Sequence, residues 1–139
     1  MILLLLASVF YAVLTTVTTS LLNQLTVPLL LIFIYVVPLL FNLGIYKIQK
    51  EKWKILTAII TPSLSISFYL FFAYFTSVTG SWYEFVRENT VSDANMSLEI
   101  TQNLFASSQI VFIGVLFYGI SLAYHFVSQK VLNQGVKHA

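Results

Sequence analysis

The chain contains no cysteine and very few charged residues. Without cysteine there is neither a disulfide framework nor a thiolate metal site. Charged residues make up 9% of the 139 positions, whereas an ordinary soluble domain carries about 25%. Hydrophobic residues make up 58% of the chain. This balance excludes an ordinary soluble domain and predicts an integral membrane protein.

The charged residues fall into three short islands, which leave charge-free runs over 1–46, 55–83 and 100–129. About 20 apolar residues, rising about 1.5 Å each, cross the roughly 30 Å hydrocarbon core of a bilayer. The first run is long enough for two spans and each of the others for one. We therefore predict an all-α fold: a four-helix membrane bundle forming a single domain over 1–139, with spans at about 2–22, 27–46, 55–78 and 104–127. Span 1 lacks a preceding basic residue and a clear cleavage site, so we expect it to be retained rather than removed as a signal peptide.

The islands differ in sign, which predicts the orientation. Four lysines and Glu51 give +3 between spans 2 and 3, four acidic residues and Arg87 give −3 between spans 3 and 4, and two lysines follow span 4. Basic residues beside a span are retained in the cytoplasm, so both termini are expected there. The inner-face anchor is predicted to bind lipid headgroups rather than nucleic acid, and comprises Lys47, Lys50, Lys52, Lys54 and the belt residue Trp53.

The polar segment after span 3 predicts a short outer amphipathic helix. Gly80 is expected to end span 3, and Ser81 to Glu84 has the spacing of a capping box. Trp82, Phe85 and Val86 would share one side of that helix. A solvated face is the favoured interpretation of the acidic residues, and binding of a cationic partner or a divalent ion is the alternative; they are Glu84, Glu88, Asp93 and Glu99.

Polar side chains inside spans 2 and 3 predict an intramembrane cluster. Pro38 removes one hydrogen bond of the helix and frees the carbonyl of Ile34, so a kink is expected there. Asn42 follows one turn later and needs a partner from another helix. Span 3 carries a ridge of hydroxyls at four-residue spacing, and the predicted cluster comprises Asn42, Thr57, Thr61 and Ser65. Helix packing and a solute site are both open interpretations.

Span 4 carries small residues at regular spacing. Ser107, Gly114, Ser121 and Ser128 lie seven apart, and Gly119 with Ala123 adds a small-xxx-small pair. We predict a helix-contact seam along Ser107, Gly114, Gly119 and Ser121. His125 near the end of the span is interpreted as an interfacial histidine, because no span contains the carboxylate that proton coupling would need.

Catalysis requires a nucleophile, a base and an orienting group within reach of each other. The two histidines fall at the predicted inner end and the carboxylates, apart from Glu51, on the outer side. We therefore predict no enzyme activity and no cofactor. Each of four tyrosines within the spans is expected to satisfy its hydroxyl inside the bundle; they are Tyr11, Tyr35, Tyr69 and Tyr118.

The stretch IFIYVVPLLFNLGIYK, with its proline within span 2 and its terminal lysine, resembles the second span of the Msa family. These are small four-span membrane proteins of Gram-positive bacteria, named as modulators of the SarA regulator. The similarity extends over the chain: a short outer turn, a basic inner loop, WYEFVREN before an acidic stretch, and a basic tail. The resemblance implies a protein of the bacterial cytoplasmic membrane linked to virulence-gene regulation or envelope signalling. It implies no catalytic residues.

Three function classes stay open. The first is a non-enzymatic accessory or regulatory protein that contacts another membrane protein or a second copy of itself, favoured by the seam on span 4. The second is a transporter subunit or small-solute binder, favoured by Pro38, Asn42 and the hydroxyl ridge. The third is immunity against a membrane-active peptide, favoured by the size of the chain and its acidic outer segment.

Overall fold

The computed structural model describes residues 2–93, 96–98 and 102–137. Four of its helical segments are long and apolar enough to cross a membrane, and they are Ile2–Gln24, Val27–Ile48, Glu51–Val78 and Ser107–Val131. We call these segments spans 1 to 4. They pack together, and a short helix lies between spans 3 and 4. The predicted helical fold is confirmed: four long apolar helices pack together, and a short helix lies between the third and the fourth.

Spans 1 and 2 are joined by a tight turn. Helix α1 (Ile2–Leu21) ends in the 3₁₀ turn Leu22–Gln24, and span 2 begins at Val27. Thr26 occupies the cap position with extended backbone, and its side chain makes no capping hydrogen bond. Pro28 lies in the first turn, where its missing N–H needs no partner.

Span 2 is irregular next to its internal proline. It consists of α2 (Val27–Leu31), the π-helical turn Ile32–Val36 and α3 (Val37–Ile48). Within the π-helical turn the N–H of Val37 bonds to the carbonyl of Ile32, five residues back. Pro38 follows directly; its ring crowds the carbonyl four residues earlier, and a widened turn is one way in which helices relieve such crowding.

Span 3 is the central helix of the bundle. Its α-helix, α4 (Lys54–Val78), follows the 3₁₀ turn Glu51–Trp53 and contacts spans 1, 2 and 4. It is the most buried of the four spans. The predicted ridge Thr57, Thr61 and Ser65 is fully buried, as is Thr76 further along. Small hydroxyl side chains allow neighbouring backbones to approach closely, which explains why this helix lies at the centre.

Helix α5 (Ser81–Asn89) rests against the end of the bundle remote from the lysines. Gly80, with φ of 77°, ends span 3 and begins α5, and this left-handed conformation favours glycine. Trp82, Phe85 and Val86 are buried, as the amphipathic pattern predicts. The capping-box prediction is wrong, because Gly80 is the cap residue and the Ser81 hydroxyl bonds instead to that of Thr79.

Two elements differ from the sequence prediction. An antiparallel hairpin, β1 (Val91–Asp93) and β2 (Met96–Leu98), follows α5, with Ser92 opposite Ser97; the sequence pattern did not predict it. Helix α6 (Ser107–Lys137) begins three residues later than predicted and continues ten residues further. Glu99, predicted to belong to the acidic face, lies outside the described residues.

Candidate functional site

The main polar constellation of the membrane-spanning region joins spans 1, 2 and 3. The hydroxyl of Tyr11 donates to Oδ1 of Asn42 at 2.7 Å and lies 2.7 Å from Oγ of Ser65. Nδ2 of Asn42 donates to Oγ of Ser65 at 2.8 Å. All three residues are buried. We call Tyr11, Asn42 and Ser65 the triad.

The triad satisfies its own polar groups. Tyr11 donates to Asn42, Asn42 donates to Ser65, and Ser65 can close the ring on Tyr11 or donate to the carbonyl of Thr61 at 3.1 Å. The Tyr11 hydroxyl also lies 3.4 Å from the carbonyl of Pro38. Because each group has its partner within the protein, the arrangement holds the three spans together without requiring a ligand.

The structure brings two of the four predicted cluster residues together. Asn42 and Ser65 are directly bonded, whereas the Thr61 hydroxyl bonds back to the carbonyl of Thr57 in its own helix. The Thr57 hydroxyl bonds back to Trp53 and accepts a hydrogen bond from Gln49 at 3.1 Å. Thr57 and Thr61 are therefore not part of the triad. The sequence did not place Tyr11 in the triad. The signal that could have done so is that a tyrosine hydroxyl inside a span needs a hydrogen-bond partner.

The other three tyrosines also find partners inside the bundle. Gln109 on span 4 donates to the Tyr35 hydroxyl at 2.7 Å, and Tyr69 donates to the carbonyl of Leu104 at 2.8 Å. The Tyr118 hydroxyl lies 2.6 Å from Oγ of Ser63. The prediction that these hydroxyls are satisfied internally is confirmed. Each of these bonds fixes a different pair of segments.

A second polar network lies at the lysine end, between spans 2 and 4. The Tyr46 hydroxyl is 2.7 Å from Nδ1 of His125 and 2.9 Å from Oγ of Ser128. Nζ of Lys54 lies 5.5 Å from the centre of the Tyr46 ring and also pairs with Glu51. Gln129 donates to the second carboxylate oxygen of Glu51 at 3.3 Å. His125 thus has a specific partner on span 2.

The predicted inner-face anchor forms one end of the bundle. Lys47, Lys50 and Lys52 are exposed, and Lys54 and Trp53 are half-buried. Nζ of Lys52 lies 5.6 Å from the centre of the Trp53 ring, a cation–π distance. These positions suit residues at a headgroup surface.

Of the predicted seam on span 4, Ser121 alone packs on the bundle, and contact of the seam with another protein stays a prediction. The side of α6 that packs on the bundle carries Ile113, Phe117 and Ser121, which are 1%, 0% and 6% exposed. Ser107 is exposed, and a Cβ added to Gly114 or Gly119 would meet nothing within 4 Å. Lipid and protein interior are both apolar, so the small-residue pattern could not show which side faces the bundle.

The opposite side of span 4 remains uncovered, and we call it the open face. Gly119 and Ala123 are exposed at its middle, and the large side chains Phe112, Val115 and Phe126 flank them. These five positions follow one another at intervals of three or four residues, which matches the 3.5-residue repeat of paired helices. Span 4 is the least buried of the four spans.

Two cavities lie beside the polar groups described above. A groove between spans 1 and 3 holds a cavity of about 330 Å³, and Tyr11 is the one triad residue that lines it. A separate pocket of about 220 Å³ lies where spans 2, 3 and 4 meet α5, and its polar and aromatic lining includes Tyr35, Tyr69, Trp82 and Gln109.

Within the described residues, no group of three or more His, Cys, Asp or Glu side chains could hold a metal ion. Comparison with protein-family models, with curated proteins and with solved structures found no match for the chain. The functional interpretation therefore rests on the polar networks, surfaces and cavities of the molecule itself.

Proposed function

We propose that this chain is a non-enzymatic membrane protein that acts as an accessory or regulatory partner of another membrane protein. The open face of span 4 carries the proposal. Gly119 and Ala123 would let a second helix approach closely, and Phe112 and Phe126 would pack on either side of it. The partner would be a transmembrane helix, since the exposed side chains at this face are apolar.

The rest of the bundle supports a scaffold role. The triad connects spans 1, 2 and 3, and its polar groups hydrogen-bond to one another. Span 4 joins them through one narrow side, which leaves most of its surface for an outside contact. A preformed support and an uncovered helix together suit a protein that binds through one span.

We further propose that the protein lies in a bacterial cytoplasmic membrane with both termini in the cytoplasm. The lysine end would face the cytoplasm, because basic residues beside spans are retained there. The resemblance to the Msa family points to the same location and adds an expected link to virulence-gene regulation. That link stays a prediction.

Co-purification from mild detergent tests the partner contact. Gly119→Leu adds a side chain to the open face, where a Cβ meets nothing within the chain, so folding should be unaffected. Gly44→Leu is the matched control, an exposed helical glycine on span 2 with equally open surroundings. We expect wild type and Gly44→Leu to retain a stoichiometric partner that Gly119→Leu loses. Equal recovery with all three proteins would refute a role for the open face.

A small-solute binder is the second candidate. The observation that favours it is the pocket of about 220 Å³ lined by Tyr35, Tyr69, Trp82 and Gln109, rather than the predicted cluster around Asn42. The test is Gln109→Leu, which would abolish binding or transport of a solute while leaving partner recovery intact. Immunity against a membrane-active peptide stays a prediction from the size and the acidic outer segment.

A further inference from the structure

A continuous groove runs along the lipid-facing surface between spans 1 and 3. Its two cavities, of about 330 and 220 Å³, share Thr15, Thr16 and Phe75 as lining residues. The lining on span 1 extends from Ser8 to Ser20, a rise of about 18 Å at about 1.5 Å per residue. This is more than half of a hydrocarbon core of roughly 30 Å, so the groove runs from the middle of the bilayer to one interface.

The walls of the groove are apolar in effect, although several of their residues carry hydroxyls. On span 1, Ser8 donates to the carbonyl of Leu4, and Thr15 and Thr16 bond in the same way. Each hydroxyl donates its hydrogen bond to the carbonyl four residues earlier, so methyl and methylene groups remain at the surface. The hydroxyls concerned are those of Ser8, Thr15, Thr16 and Ser67. The opposite wall is formed by Phe71 and Phe75.

Thr19 departs from this pattern at the interfacial end of the groove. Its Oγ1 is buried and has no hydrogen-bond partner among the described residues. Thr19 and Ser20 line the smaller cavity, close to the end of α1 at Leu21. Thr19 therefore lies at the end of the groove nearest an interface, where the hydrocarbon core gives way to polar lipid groups. A threonine in a helix has more than one accessible χ1 rotamer, so this hydroxyl is free to reorient toward an acceptor.

The groove is an open channel along the surface rather than a closed cavity. An apolar lining that extends about 18 Å along span 1 suits an extended hydrocarbon chain lying parallel to that helix. The groove also opens onto lipid-exposed surface at Phe71 on span 3.

We propose that this groove binds one acyl chain of a diacyl phospholipid, with an ester carbonyl of that lipid accepting a hydrogen bond from Thr19. The ester lies at the Thr19 end and the chain runs inward past Thr16 to Tyr11. This inference is independent of the proposed partner of span 4, because the groove lies on other helices.

Photolabelling in vesicles of phosphatidylglycerol that carries a diazirine in one acyl chain tests the site. We expect adducts to concentrate on Thr16, Phe71 and Phe75 compared with Leu40, an equally lipid-exposed residue on span 2. Thr16→Trp fills the groove and should reduce the adducts on Phe71 and Phe75 to the level at Leu40. Val13→Trp, on an exposed side of the same helix, should leave them unchanged.

Lipid retention in mild detergent, followed by native mass spectrometry, tests the ester contact. Thr19→Val should weaken phospholipid retention about fivefold, the ratio that corresponds to one hydrogen bond of about 1 kcal/mol. Thr16→Val should leave retention unchanged, because the Thr16 hydroxyl bonds to Ala12. Adducts spread evenly over Leu40 and the groove, adducts to a second protein chain in the groove, or equal retention with Thr19→Val would each overturn the proposal.

Discussion

The hydroxyl of Tyr11 lies 2.7 Å from Oδ1 of Asn42, 31 positions further along the chain. The same hydroxyl lies 2.7 Å from Oγ of Ser65, so one tyrosine connects three membrane spans. In hydrocarbon a polar side chain has no water to return to, and its protein partners therefore decide which helices meet. This contact fixes the arrangement of spans 1, 2 and 3.

The first prediction concerns the loss of Asn42. Asn42→Leu removes two hydrogen bonds between spans, which average about 0.6 kcal/mol each in measured cycles. Tyr11 and Ser65 keep weaker alternatives at the carbonyls of Pro38 and Thr61. We expect a loss of about 1 kcal/mol in unfolding free energy, measured by thermal or denaturant unfolding in detergent, with partner recovery retained.

A double-mutant cycle gives this prediction its control. Asn42→Leu should couple to Ser65→Ala, because the two side chains are bonded at 2.8 Å. It should not couple to Thr61→Val, because that hydroxyl bonds within its own helix. Equal coupling to both would show that the triad is not the unit that holds these spans.

Much of this fold could be predicted from the sequence, for one physical reason. Charge is so costly in hydrocarbon that the charge-free runs define the spans, and helix α4 differs from its predicted start by a single residue. The burial of Thr57, Thr61 and Ser65 follows from their spacing. Gly80 likewise adopts the left-handed conformation that a glycine at a helix end suggests.

The rest could not be predicted, because hydrophobicity does not distinguish lipid from protein. Gly114 and Ser121 belong to the same seven-residue repeat, yet Ser121 is buried and Gly114 has open space at its Cβ position. Tyr11 could have bonded to any neighbouring span, since only three-dimensional packing shows that Asn42 and Ser65 are opposite it. The hairpin of Val91–Asp93 and Met96–Leu98 pairs two segments of three residues, which are too short to carry a clear strand pattern.

The lysine-end network predicts a role for Tyr46 in holding span 4. Tyr46→Phe keeps the ring under Lys54 but removes the hydroxyl shared by His125 and Ser128. We expect a loss of about 1 kcal/mol in unfolding free energy and faster hydrogen exchange in this end of span 4. Tyr124→Phe is the matched control, since Tyr124 contacts Tyr46 through its ring. Equal effects of the two variants would contradict the account.

Gly80 and Gly114 should respond in opposite ways to alanine. Neither has an atom within 4 Å of an added Cβ, so the backbone conformation decides the outcome. Gly80→Ala forces alanine into a left-handed conformation and should cost about 1 kcal/mol. Gly114→Ala lies within a helix and should be neutral or stabilise the fold by up to about 1 kcal/mol. Thermal unfolding in detergent checks both values, and destabilisation by Gly114→Ala would indicate a close contact at that position.

The proposed orientation predicts the pattern of labelling by a membrane-impermeant maleimide. The chain has no native cysteine, so each introduced cysteine reports its own position. Glu88→Cys on α5 should be labelled in intact cells, and Lys52→Cys only after the membrane is opened; both positions are exposed on the protein. The reverse pattern would invert the topology while leaving the bundle unchanged.

Photo-crosslinking from span 4 in the native membrane tests the central claim most directly. A photoreactive amino acid at Val115 lies on the open face, and one at Leu40 on span 2 is the control, since both positions are strongly exposed. We predict that Val115 yields a discrete adduct with another protein chain, abolished by Gly119→Leu, whereas Leu40 yields lipid adducts. Lipid adducts alone at both positions would contradict the proposal that this protein acts through the open face of span 4.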